Sequence, residues 1–303
     1  MSIISKAALD RRNYWVSEIE RLSGDFGEDS ERLEGELGSE VKQYGATAII
    51  DHLRLCGDIP ESYAHDSSEE KLYSKYTDAL LCESYKLLGM RSLVLRERAD
   101  AADVEAFGQG FSFVADAKAF RLSRTAKNQK DFKVQAMDGW KRGKPFAMVV
   151  CPIYQLPTRS SQIYEQASSR NVCIFTYSHL AVLVEFSLIE GKGRAEELVH
   201  EVFKTIPALN PSKEASSYWM AVNRTMLRFS KQVEKLWRQE KQAAIESIQA
   251  AKDLALNHLA LEREKIMRMS HQEALQELIN VHKIEGKIRV INAVDDTGVL
   301  EIR

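Results

Sequence analysis

The sequence predicts an α/β fold, with a central sheet of mixed strand direction flanked by helices and then a largely helical C-terminal part. Three observations carry this reading. Short β-like segments run as a meander from Ser92 to Lys118. Two apolar runs, Pro145 to Cys151 and Asn171 to Thr176, each follow a polar helical stretch, as buried strands do when they alternate with helices. Beyond Pro211 the apolar residues recur at helical steps.

In chain order, Ala7 to about Arg54 reads as helical, with Tyr14, Ile19 and Leu22 on the repeat and a Gly-containing acidic break near Ser23 to Ser30. After GDIPESYAHDSSEE a helix begins near Ser68, where Ser and Glu supply capping chemistry, and runs through Tyr73, Leu80, Leu81 and Leu87 to Gly89, its expected C-cap. Asp103 to Phe107 and Phe111 to Lys118 are two strands joined by the turn Gly108-Gln109-Gly110. In the C-terminal part, Val222, Met226, Phe229, Val233 and Leu236, and later Ile245, Leu256, Leu259 and Ile266, give two or three helices. Their stripe serves equally as core packing or as a dimer interface. The expected organisation is one catalytic domain: a helical cover at 1–66, a core at 67–190 and the helical part at 191–303.

Charge is unevenly placed. Against a formal net charge of -2, residues 1–70 hold 7 Lys or Arg and 16 Asp or Glu, whereas residues 118–144 hold 9 Lys or Arg and only Asp131 and Asp138. That basic segment is where a polyanion finds contacts. Cys56, Cys82, Cys151 and Cys173 match no metal spacing and read as reduced core residues. With no signal-peptide pattern and no apolar run of membrane length, a cytoplasmic protein without a membrane partner is expected.

Strand alternation puts Phe111, Phe113, Ala115 and Ala117 on one packed face and Asp116 and Lys118 on the other. Across the turn, Asp103 comes alongside Asp116, and two convergent carboxylates repel unless a hard divalent cation, normally Mg²⁺, neutralises them. Lys118 then serves to orient or deprotonate a water, or to stabilise charge on a phosphate. The D-x(12)-D-x-K spacing alone also fits an ordinary strand pair beside an acidic loop. The segment that follows it adds phosphate donors in Arg121, Arg124, Lys127, Lys130 and Lys133, and amides able to bond adenine in Asn128 and Gln129, with Ser123 among them.

The string VADAKAFRLSRTAKNQKDFKV closely resembles the core of the HindIII family of type II restriction endonucleases, and EKLYSKYTD at Glu70 to Asp78 and Ser161-Gln-Ile are similar to other parts of it. The resemblance spans roughly Ser67 to Phe186. It implies the PD-(D/E)xK nuclease fold, Mg²⁺, double-stranded DNA as substrate, a homodimer acting on a palindrome, AAGCTT as the site with 5′ overhangs, and a cognate DNA methyltransferase as a functional though not physical partner. It also implies Asp103 and Asp116 as metal-binding acids, the Ala117 carbonyl as a further ligand, Lys118 as the lysine and Glu83 as a supporting helix acid. This sequence departs from the general pattern in having Ala102 where proline is usual. A structure-reading repair nuclease of the same fold and a non-catalytic DNA-binding regulator are the competing expectations.

Overall fold

The computed structural model describes residues 2–96, 101–124 and 129–292, with the backbone alone at 129 and 130. They fall into two compact units, 1–255 and 256–303, each described by itself.

The first unit opens with α1 (Lys6–Ile19), α2 (Phe26–Tyr44) and α3 (Ala46–Leu55). Ser5 caps α1 by accepting from the Ala8 amide. The acidic break seen in the sequence is the cap of α2, where Asp25 accepts from the Gly27 and Glu28 amides and so satisfies orphan donors of the first turn. Trp15, Ile19, Leu33, Leu37 and Ile49 are buried between these helices. Glu40 ties them together, accepting from Trp15 Nε1 at 2.6 Å and facing His52 Nε2 at 3.1 Å, with Arg11 also bound to it. Burial opposes its charge, yet these partners bring its pKa down to about 2.

The next helix, α4 (Ser68–Leu87), is capped by Ser67, whose hydroxyl accepts from the Glu70 amide. It ends at Leu88 and Gly89, where φ is +99°, the left-handed conformation that glycine adopts without a Cβ clash. The Gly89 amide donates to the Lys86 carbonyl and the Met90 amide to that of Tyr85, a Schellman closure that turns the chain straight into the sheet.

The sheet is β1 (Arg91–Val94), β2 (Val104–Gly108), β3 (Phe111–Ala117), β4 (Phe146–Cys151) and β5 (Val172–Thr176), in that spatial order. β1, β2 and β3 are antiparallel, and β3, β4 and β5 are parallel. The expected meander and alternation are both present. A two-residue turn, Gln109-Gly110 with Gly110 at φ +78°, joins β2 to β3. Between β3 and β4 lie α5 (Gln129–Phe132) and α6 (Val134–Trp140), and α7 (Gln162–Ser169) links β4 to β5.

One expectation needs correcting. The face of β3 that carries Asp116 is not open, since Val114 and Asp116 are as buried as Phe113 and Ala115. Helices flank the sheet, so alternation marks two buried faces instead of one wet and one dry. Tyr85 of α4 stacks edge-on against Phe113 with ring centroids 5.0 Å apart.

The unit continues with α8 (Tyr177–Glu190), largely buried up to Ser187 and capped by Thr176, then α9 (Lys192–Thr205) and α10 (Ala215–Phe229). Phe203 of α9 packs on Phe113 and Phe146. α11 (Lys231–Arg268) buries Val233, Leu236 and Ala243, and Ala251 is its last buried residue. The second unit holds α12 (His271–Val281), opened by a Ser270–Glu273 capping box, and α13 (Ile284–Asn292). Two or three helices were expected after Pro211, and four are described. Ser230 in extended conformation and the Ser270 cap interrupt a repeat that periodicity alone reads through. Val222, Met226, Val233 and Leu236 are core residues, whereas Ile245, Leu256, Leu259 and Ile266 are exposed. All four cysteines are buried and free. Among the described residues no helix is long and apolar enough to cross a membrane.

Candidate active site

The antiparallel register pairs Val104 with Ala115, so one further step brings Asp103 opposite Asp116 at the end of the hairpin. Lys118 follows β3, its amide donating to the Val150 carbonyl at 2.8 Å and its own carbonyl accepting from Tyr177 Oη at 3.1 Å. The backbone on which this side chain stands is thus anchored to β4 and α8. Its ammonium pairs with Asp116. Ala117 lies between the two, buried in the last position of β3.

A third acid arrives from α4. Carboxylate oxygens of Asp78, Asp103 and Asp116 lie within 4.8 Å of one another. With Asp78 comes Lys75, one turn earlier on the same face, whose Nζ is 3.1 Å from Asp78 Oδ2 and 2.9 Å from Asp103 Oδ1. Burial pushes the Asp78 carboxyl well above the usual carboxylate range, and Asp103 adds to it. Burial likewise raises Asp116 against the pull of Lys118. Asp103 is held low despite burial by its bonds to Asp116 and Lys75. Lys118 loses solvation, but Asp116 and Asp103 more than offset this and favour the ammonium.

Three carboxylates this close repel one another unless cations stand among them, and a set of hard oxygen donors suits a divalent ion. The residues present therefore fit a metal of that class. A cleft of about 1000 Å³ reaches the cluster at Lys75 and Asp103 and is lined further by Phe26, Glu31, Glu34, Arg96, Lys133 and Trp140. A second acidic group, His65, Asp66 and Glu70, is largely exposed, and its Glu70 is already engaged by Arg121 and the Asp66 amide.

The structure thus brings together Asp103, Asp116, Ala117 and Lys118. It does not bring Glu83 to them: that side chain lies further along α4 and pairs with Lys86 at 2.7 Å. Asp78 is the helix acid that joins the cluster, and sequence reasoning missed it. A signal was present, because Lys75 and Asp78 both lie in the EKLYSKYTD string and stand three apart, with Asp78 directly before the apolar run Ala79-Leu80-Leu81-Cys82.

The basic segment is partly committed elsewhere. Arg121 donates to the Ala64 carbonyl at 3.1 Å and pairs with Glu70 at 3.3 Å, which binds it to the segment leading into α4. The Ser123 amide and hydroxyl both donate to Glu61. Arg124 is exposed and faces Asp131 at 3.3 Å. Lys133, in the left-handed region at φ 46°, stands at the start of α6 with its ammonium over the Trp140 ring on the cleft wall. Lys127 and Asn128 lie outside the described residues, and the backbone of Gln129 and Lys130 opens α5. Gln155, which the sequence did not single out, donates to the Arg121 and Arg124 carbonyls at 2.8 and 2.7 Å and fixes the start of this segment.

A family model described as the HindIII restriction endonuclease matches residues 12–295. The type II restriction enzyme HindIII of Haemophilus influenzae is 31% identical over 299 residues, covering 96% of this chain and 96% of that one.

Proposed function

The chain belongs to the HindIII restriction endonuclease family and is a type II site-specific deoxyribonuclease; from that premise we propose that it makes Mg²⁺-dependent double-strand cuts at AAGCTT, leaving 5′ overhangs and 5′-phosphate ends. The observation that carries the reading is the convergence of Asp78, Asp103 and Asp116 beside Lys118, with Asp103 reaching the lining of an open cleft.

On this reading Asp103, Asp116 and the Ala117 carbonyl hold the metal, with Asp78 as the third acid. When bound, the ion supplies Lewis-acid polarisation of the scissile phosphate and lowers the pKa of a nucleophilic water. Lys118, favoured as an ammonium by its two acidic neighbours, donates to the charge that builds on the phosphate as water attacks in line. The hairpin and the Val150 and Tyr177 contacts set the direction of that ammonium before substrate arrives. Lys133 and Arg124 meet backbone phosphates, and Lys127, Asn128, Gln129 and Lys130 contribute to DNA contact from the segment between them. Residues 67–190 carry the chemistry, with 1–66 as a cover. The enzyme acts as a homodimer, since a palindrome presents the same half-site to two copies, and a methyltransferase of matching specificity protects the host site.

Digestion of plasmids that carry or lack AAGCTT, with Mg²⁺, tests the assignment. Discrete linear products from the first plasmid alone are expected, with mapped ends showing the overhang. Equal nicking of both, or cutting at a different sequence, overturns the specificity.

A further inference from the structure

We propose that Lys75 is the resident counter-cation of the acid cluster, exchanged for the divalent ion when the metal binds. This rests on the reading of the cluster as a metal site. The geometry favours exchange over coexistence. The Lys75 ammonium bridges Asp78 Oδ2 and Asp103 Oδ1 at 3.1 and 2.9 Å, and so engages one oxygen of each of two acids in the set that would hold a divalent ion. A cation bound to the same oxygens at about 2.1 Å would face that ammonium at close range.

Charge balance points to the same residue. Three carboxylates and two ammoniums sum to -1, and with Lys75 withdrawn the cluster and Lys118 sum to -2, the charge that one divalent ion neutralises. Lys118 is the wrong ammonium to leave. Its side chain is 13% exposed and pairs with the most buried acid, whereas that of Lys75 is 32% exposed and lines the cleft. A flexible four-carbon stem lets Lys75 swing from the acids into the cleft, where the phosphate backbone of DNA offers it a new partner. Lys75 thereby couples metal loading to DNA binding: without DNA it competes with the metal, and with DNA it has somewhere else to go.

Titration with Mn²⁺ in the absence of DNA, with free ion read by electron paramagnetic resonance, tests this on the full chain at fixed pH and ionic strength. Lys75→Met removes the competitor and is expected to bind Mn²⁺ about tenfold more tightly than wild type. Lys75→Arg keeps the charge and is expected to stay close to wild type. Lys133→Met, which removes a cleft cation that touches none of the three acids, controls for the general field and is expected to leave the affinity unchanged. If Lys75→Met does not fold, Lys75→Gln makes the same comparison. Equal or weaker Mn²⁺ binding by Lys75→Met, or equal tightening by Lys133→Met, overturns the exchange. Absence of Mn²⁺ binding in every form, or binding that survives Asp116→Asn undiminished, overturns the metal-site reading itself and the exchange with it.

Discussion

Replacing Asp78 by Asn is expected to make the metal-free protein more stable and the enzyme far less active. Asp78 is 2% exposed and has two like-charged neighbours within 4.8 Å. At an effective dielectric near 20, each such neighbour costs at least about 3.5 kcal/mol, whereas Lys75 at 3.1 Å returns about 5 kcal/mol. Lys118 offsets part of the remainder, so the net destabilisation rests chiefly on the cost of burying the charge, the largest cause that pushes the Asp78 carboxyl upward. Asn keeps the shape, leaves Lys75 its bond to Asp103 and removes the repulsion. Metal-free Asp78→Asn should therefore gain about 1–3 kcal/mol, a rise in Tm of roughly 2–12 °C for a chain of this size. The order should reverse with divalent ion, because wild type gains about 2.7 kcal/mol at a hundredfold excess over Kd and the variant gains little of it. Cleavage should fall by roughly 100-fold or more, as expected for loss of a group at the metal. Calorimetric melts with chelator and with Mg²⁺, run beside plasmid cleavage, give all three readouts. A metal-free variant that melts below wild type refutes the reasoning, since it would make Asp78 a structural partner of Lys75 and not a strained acid held for function.

Asp116→Asn should abolish cutting while circular dichroism stays native and specific DNA is still retained in a mobility-shift assay; loss of the fold would count against a purely chemical role. Glu240 is buried beside Arg54, and burial lifts its pKa to about 7, against an ordinary 4.5. A carboxyl raised in the folded state stabilises fully below pH 4.5 and loses that contribution as pH climbs to 7, about 3 kcal/mol for such a shift. Urea unfolding of Glu240→Gln should accordingly improve on wild type by about that much at pH 7.5 and by little at pH 4.5, and parallel curves would contradict it. Gly110→Val, at φ +78° in the two-residue turn, should cost about 1–2 kcal/mol and reduce cleavage by loosening the approach of Asp103 to Asp116. Lys133→Met should weaken DNA binding alike for cognate and non-cognate duplexes and flatten the salt dependence by about one unit, and selective loss on cognate DNA would assign it to base reading instead.

The Asp103, Asp116 and Lys118 part of the site was legible because it is local. A two-residue turn fixes the register of two adjacent strands, and period-two alternation then puts both acids and the lysine side by side. The mixed sheet was legible for the same kind of reason, since hairpin and strand–helix–strand spacings are short. Burial of both faces of β3 was not, because a period-two pattern records polarity and not which helices come to cover it. The C-terminal stripe shows the limit from the other side. One unbroken repeat covers core residues up to Ala251 and exposed ones such as Leu256 and Leu259, and periodicity has no information on where the packing partner ends.

Asp78 and Lys75 required the tertiary structure. They stand 25 and 28 residues before Asp103, on a helix whose own pattern says which residues are buried but not which turn of it meets the end of β3. That meeting is set by the Schellman closure at Gly89, which folds α4 back across the sheet it precedes, and by contacts such as Tyr85 on Phe113. Glu83, chosen from sequence as the helix acid, lies five residues beyond Asp78 and so points elsewhere, since five positions on a helix of 3.6 residues per turn turn the side chain well off the face. The sequence by itself determined the hairpin and the chemistry it carries; the packing of one helix decided which further acid and which cation complete it, because that contact joins residues no local rule relates.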